Sequence, residues 1–318
     1  MRRSLVRVAA AGAVICLSLV AGCSSVQDSG RTSIVYASDE QTAIVTVVTG
    51  SVRDAAAKQN ADLSTLDNHI DAAKVVDNAN TAATRKPSVF IEYSSVADAN
   101  SRVDKILKQS GVPIVAVQYP VGDAPLFAID NTQVGALGGA AVADAAIAKW
   151  GAGTPVQALL LTLPAGGQLQ VERSGAAEKA IKDKLSKVTS TVGDTKLDAN
   201  VTRQVTADFL SAHPGEKVVI WSHLDSMALA AVAAVKAANR TDDVLVVGTS
   251  GDKAVFAELR TATSPFIGTV GLFPENWGPE IVALALKVAA HQPVPAITHP
   301  SRTEVITKDN LDSIYPQS

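Results

Sequence analysis

Cysteine is almost missing from this chain. Two occur in 318 residues, Cys16 and Cys23, both near the start, so the rest of the polypeptide can form no internal disulfide and must be held by its core. Aromatic residues make up only 4%. The core therefore falls to Ala, Val, Ile and Leu, a composition suited to helices packed on buried strands. Beyond the first 22 residues no apolar run is long enough to span a bilayer. Nor is there a basic excess: Lys and Arg number 28 against 31 Asp and Glu, which excludes a nucleic-acid-binding face on charge.

Signatures of catalysis are missing as well. Gly166-Gly167 and Gly248-Thr249-Ser250-Gly251-Asp252-Lys253 are glycine-rich, yet neither has the phosphate-cradling spacing Gly-x4-Gly-Lys-Ser/Thr, and no Gly-x-Gly-x-x-Gly follows the first strand. Ser250 lacks the Gly-x-Ser-x-Gly setting of a strained nucleophile. The five histidines, His69, His213, His223, His291 and His299, show no metal-ligand spacing such as His-x3-His. Asp242-Asp243 reads as a solvated polar turn. No enzyme, metal or cofactor is expected.

What is present begins at the N-terminus. Arg2, Arg3 and Arg7 precede an apolar stretch over 8–20, and small residues lead into Cys23. That is the build of a secretory signal, too short for a transmembrane span. The tetrad Val20-Ala21-Gly22-Cys23 resembles the lipobox of bacterial lipoproteins, which implies diacylglycerol on the Cys23 thiol, cleavage after residue 22, and a mature chain anchored to the outer face of the cell membrane. Loss of 1–22 removes three Arg and no acid, leaving 25 basic against 31 acidic residues. The following stretch, 23–31, is short, polar and aperiodic, and reads as a tether.

From Thr32 onward short β-branched runs alternate with longer helical patterns. Strands are expected at 33–36, 89–91, 114–117, 158–163, 218–221, 244–247 and 267–270, and helices near 43–59, 97–109, 131–149, 175–185, 201–212, 225–238 and 279–291. Strands apolar on both faces, each followed by a crossover helix, specify parallel sheets covered on both sides, so the class is α/β. There are more units than one compact open sheet usually holds, which favours two similar lobes. Turn chemistry agrees: Gly111 can end a helix and Pro113 can lead into a strand. Asp225 suits a helix N-cap. Gly248 to Gly251 reads as a strand-to-helix turn at the carboxyl edge of a sheet, where open α/β folds bind ligands.

Several of these segments occur in an order that resembles the type I periplasmic solute-binding proteins, which include sugar-binding members. They are Gly111-Val-Pro-Ile-Val-Ala-Val, then Asp130-Asn131 with Gly135 and Gly139, then Asp225-Ser-Met-Ala-Leu-Ala-Ala. Val246-Val247-Gly248-Thr-Ser-Gly251, Pro274 with Gly278, and Val305-Ile-Thr-Lys-Asp-Asn310 follow. The resemblance implies two Rossmann-like lobes with parallel sheets, joined by a three-crossing hinge that closes on a ligand. One lobe would hold 32–129 with 271–294, the other 130–270 with 295–318. Repressors of related fold carry a DNA-binding head before the first strand. Here the signal and lipobox occupy that place.

The ligand positions implied by the resemblance depart from the sugar-binding pattern. Gln118-Tyr119 stand where an Asp-Arg pair is common, Leu224 where Asn precedes the capping Asp, Ser250 where an Asp is familiar, and Leu272 where Gln is usual. Ala43-Ile44 replace an aromatic pair, and Arg173 fits its expected place only with a one-residue shift, Glu172 without it. The cleft so described holds Gln41, Gln118, Tyr119, His223 and Ser250 as uncharged donors and acceptors, Leu224, Leu272 and Phe273 as apolar walls, and Trp221 or Trp277 as a stacking face. A small, mostly neutral ligand with few hydroxyls is expected. By analogy the protein is a monomeric receptor serving the permease subunits of an ABC importer. The other reading is a sensory or interaction lipoprotein that kept the fold and lost sugar recognition.

Overall fold

Apolar runs flanked by turn residues become strands here because helices bury them from both sides. In the computed structural model, which describes residues 30–316, the strands β1 (Ser33–Ser38), β2 (Asp62–Asp67), β3 (Val89–Tyr93), β4 (Ile114–Val117) and β5 (Leu126–Phe127) come first. Between them run helices α1 (Ala43–Lys58), α2 (Ala72–Arg85) and α3 (Ala97–Ser110). After α4 (Asn131–Trp150) the pattern repeats with β6 (Val156–Thr162), α5 (Gln168–Lys184), β7 (Val188–Asp194) and α6 (Ala199–Ala212). Then follow β8 (Lys217–Ser222), α7 (Asp225–Ala237), β9 (Val244–Ser250), α8 (Phe256–Arg260) and β10 (Phe266–Gly271). The chain closes with α9 (Trp277–Ala289), β11 (Ile297–Thr298), β12 (Glu304–Ile306) and α10 (Leu311–Ile314). The signal expected over 1–22, Cys23, and the tether except Gly30 and Arg31 lie outside the described residues.

Two six-stranded sheets result, ordered β11-β5-β4-β3-β1-β2 and β12-β10-β9-β8-β6-β7. Every pairing is parallel except β10 with β12. The fold is α/β with two lobes, each a sheet flanked by helices. Central strands such as β3 and β4 are buried along their whole length, and separate apolar clusters fill the two faces of each sheet. The chain passes between sheets at 128–130, again after Gly271 as it enters α9, and a third time between β11 and β12.

Eight elements were not expected from the sequence: β5, β11, β12, α8 and α10, each of five residues or fewer, and three longer ones, β2, α2 and β7. Both strands are sheet edges, half exposed, with Ser and Thr alternating with Leu and Val, so they lack the apolar run that marks a central strand. Helix α2 buries only Val75, Asn78, Ala79 and Ala82, and is started by Asp71, whose carboxylate accepts from Lys74 N at 2.8 Å. Other differences are local. Asp225 is the first residue of α7 rather than its cap, Leu224 takes the cap position, and β9 runs three residues further than expected, to Ser250. Residues 297–298, expected with the second lobe, pair with β5 in the first sheet. The resemblance placed the whole of 295–318 in one lobe, whereas Ile297 and Thr298 extend the first sheet beside Leu126 and Phe127 before the chain crosses to β12.

Helices α4 and α5 approach closely because Gly139 has no side chain. A Cβ built there would lie 2.3 Å from the Ala177 carbonyl oxygen, backbone that cannot yield. Gly175, on the exposed side of α5, faces open space. Gly139→Ala is expected to lower stability by about 1–3 kcal/mol, whereas Gly175→Ala raises it by about 0.5–1 kcal/mol through helix propensity. Urea unfolding of the two variants measures both.

Candidate binding cleft

In a parallel sheet every strand leaves at the same edge, so the loops that follow the strands and the helix starts that follow the loops collect there. A cleft of about 460 Å³ lies at that edge of both lobes. Tyr93, Gln118, Tyr119 and Ile129 reach it just beyond or at the ends of β3, β4 and β5. Leu224, Ser250 and Leu272 do so from the exits of β8, β9 and β10. Helix starts supply Ala43, Ile44 and Val47 of α1, Asn131 of α4, Ser226 of α7 and Trp277 of α9. Leu169, Gln170 and Arg173 come from the first turns of α5, and Asp252 and Pro274 complete the lining.

The strand exits are turned sharply. Gln118, Ser250 and Phe273 hold positive φ of 62°, 137° and 49° without being glycine, a cost that surrounding structure must offset. Next to Ser250, Gly251 has φ of 80°, and a Cβ there would sit 2.8 Å from Gly271 Cα. The turn is fastened by Asp225, whose Oδ2 accepts from Gly251 N at 2.9 Å and Asp252 N at 2.8 Å. Burial pushes the Asp225 carboxyl up to about 7 against these hydrogen bonds. Asp252, on the cleft wall, is also raised by burial.

Arg173 is the most buried charged group of the lining, 6% exposed. Its Nε and Nη2 donate to Asn131 Oδ1 at 2.9 and 2.7 Å, and Nη1 donates to the His223 carbonyl at 3.4 Å. These acceptors are neutral. Burial pulls its pKa down to about 10, which leaves the guanidinium charged at neutral pH. Two amide atoms of the lining have no hydrogen-bond partner among the described residues: Gln118 Nε2 from the first lobe and Gln170 Oε1 from the second.

Of the side chains expected here, the structure brings together Gln118, Tyr119, Arg173, Leu224, Ser250 and Leu272, with Trp277. Three others lie elsewhere. Gln41 Nε2 donates to both oxygens of Asp67 at 3.1 and 2.9 Å, on the exposed turn after β1, since an ionised carboxylate is the stronger acceptor. Trp221 is fully buried in β8, facing α4 at Gly138; strand alternation turns it into the core. The His223 ring is buried against the Leu161 carbonyl, Nδ1 at 3.1 Å, and burial lowers its pKa to about 4, so it is neutral. Its contribution is the carbonyl held by Arg173. Phe273 is likewise in the core.

Five polar members of the lining were not expected: Tyr93, Asn131, Gln170, Ser226 and Asp252. Asn131 and Ser226 belong to the motifs but were not assigned to the ligand, and their places in the first turns of α4 and α7 carry them inward. Tyr93 was hidden by ending β3 two residues early. Gln170 precedes the expected start of α5, and no signal in the local pattern marks it.

The described residues thus form a two-lobed α/β fold with a cleft at the strand ends large enough for a small solute. The chain belongs to the periplasmic binding protein domain family, matched over residues 34–293. Solved structures agree in fold. An ABC transporter solute-binding protein from Mycobacterium smegmatis with bound glycerol is 24% identical, covers 91% of this chain and 98% of its own, and superposes with a TM-score of 0.74. One from Bacillus halodurans with bound myo-inositol is 19% identical over 91% and 98%, TM-score 0.73. Another, from Actinobacillus succinogenes with bound D-allose, is 18% identical over 88% and 98%, TM-score 0.72. Among curated proteins none matches the sequence significantly. The family consists of binding proteins rather than enzymes. Among the described residues no helix is long and apolar enough to cross a membrane, and no cluster of His, Cys, Asp and Glu could hold a metal ion.

The buried Asp225 predicts a pH effect. An acid whose folded pKa is raised from 3.8 to about 7 contributes stability that is complete below the unfolded value and lost as pH rises through the folded one. Asp225→Asn, which keeps an oxygen for the Gly251 and Asp252 amides, is therefore expected to remove about 2–3 kcal/mol of the stability lost between pH 5 and pH 8. Denaturant titrations of both proteins at the two pH values test it.

Proposed function

We propose that this protein is a lipid-anchored receptor that holds a small, sugar-like or less hydroxylated solute between its lobes and delivers it to an ABC importer at the outer face of the cell membrane. The observation that carries the reading is the pair of partnerless amide atoms, Gln118 Nε2 and Gln170 Oε1, contributed to one cleft by opposite lobes. A buried donor and acceptor left unpaired are costly, and a ligand bridging them would recover that cost only when the lobes are together. Arg173 and Asp252 give the lining one charge of each sign, which favours a neutral solute. Glycerol, myo-inositol and D-allose, bound in the proteins of like fold, are small neutral polyhydroxylated molecules. A second reading, a sensory lipoprotein without sugar recognition, draws on Leu224 and Leu272 in the lining. Finding genes for a permease and an ATPase beside this one would favour the importer, and their absence would favour the sensor.

The anchor rests on the tetrad ending in Cys23. Cys23→Ala is expected to move the protein from the membrane fraction to the soluble one, and mass spectrometry showing an unmodified N-terminus in the wild-type membrane fraction would refute it. For the cleft, a thermal-shift screen of polyols, sugars, nucleosides and small amides is expected to find at least one stabilising solute. Ribose is not among those expected. Its hydroxyls would face Leu224, Leu272 and the short Ser250 side chain, and each buried hydroxyl without a partner costs about 1–3 kcal/mol. Titration calorimetry with ribose should give no binding heat, and a micromolar isotherm would sink this assignment of the walls.

A further inference from the structure

The two walls of the cleft differ in chemistry. On the second-lobe side Asn131, Gln170, Arg173, Ser226, Ser250 and Asp252 present polar groups. The first-lobe side sets Tyr93, Gln118 and Tyr119 beside a hydrocarbon face, which includes Ile44 and Val47 of α1. Ile44 and Val47, one turn apart on the same helix face, line the cleft while Val45 and Val48 of the same helix are buried in the lobe. Val47 keeps 44% of its surface exposed, and Leu169 across the mouth keeps 37%. Large apolar side chains left open on both lips of a binding cleft mark a surface that becomes covered when the site is filled.

A free sugar carries hydroxyls around its whole rim. Bound to the polar wall, it would turn others toward Ile44 and Val47, where they lose water and gain no acceptor. Aromatic side chains at these two positions would stack on a ring face; aliphatic ones instead suit alkyl or aryl carbon. We infer that the ligand is amphipathic: a glycoside or ether whose hydroxylated ring meets the second lobe and whose short apolar substituent lies on Ile44 and Val47. This deepens the solute-receptor reading and rests on it.

The test pairs each sugar with its derivatives. Free glucose, galactose and ribose are compared by calorimetry with their methyl, n-butyl and phenyl β-glycosides, the butyl chain being too short to form micelles at working concentration. In at least one series the butyl or phenyl glycoside should bind about tenfold or more tightly than the free sugar, as expected for burial of a few methylene groups. The double variant Ile44→Asn, Val47→Asn, with folding checked by its thermal transition, should shrink that ratio to under about threefold. Free sugars binding as tightly as their glycosides would overturn the inference while leaving the solute receptor standing. A ratio unchanged in the double variant would overturn it too, since the substituent would then lie elsewhere. Silence of every glycoside and every free sugar also overturns it, and the thermal-shift screen then decides separately whether the cleft takes any small solute.

Discussion

Parallel strands can be covered on both faces only if each is followed by a helix that returns the chain to the opposite edge, and this requirement organises the molecule. It sends every strand exit to one edge, makes that edge the place where backbone turns are sharpest, and lines it with the first turns of helices. Two such sheets, sharing one chain, set those edges on either side of a single cleft. The positive φ angles at Gln118, Ser250 and Phe273 follow from the same requirement, because the chain must leave a fully paired strand and re-enter a helix or crossing within a few residues.

Polar groups inside this arrangement divide into those that hold the scaffold and those that remain open. Asp225 spends its carboxylate on two backbone amides, and the Gln41 amide is taken up by Asp67. Asn131 spends its oxygen on Arg173, so the guanidinium is oriented without being neutralised. What is left over is the Gln118 and Gln170 amide atoms, the hydroxyls of Tyr93, Tyr119, Ser226 and Ser250, the carboxylate of Asp252 and the outer edge of Arg173. Recognition has to be built from these, set against a hydrocarbon wall.

Much of this was legible in the sequence, for identifiable reasons. Central strands such as β3, β4 and β8 announce themselves as apolar runs because both their faces are buried, and Gly111 marks a helix end because its φ of 74° suits no other residue as well. The edge strands β2 and β7 were not legible, since half of each faces water and its composition is that of a loop. In the cleft, Leu224, Ser250 and Leu272 were reachable because a strand exit has only one direction to point. Trp221, one position before the end of β8, and His223, one beyond it, keep the alternation of the strand, and a shift of one residue turns a side chain from cleft to core. Gln41 could not be judged without knowing that Asp67 lies at the end of a neighbouring, unrecognised strand.

The pairing of β11 with β5 carries a consequence for how the chain reaches its native state. Leu126 finds its partner at Ile297, and α1 is covered by α9, so the first lobe is complete only after most of the second has been made. Residues near the start of the domain must wait for residues near its end. Contacts this distant in sequence slow folding, because the chain must close a long loop before they form. A polypeptide emerging from a membrane channel with its N-terminus first would thus remain open, its first sheet missing an edge strand and a covering helix, until translocation is nearly finished.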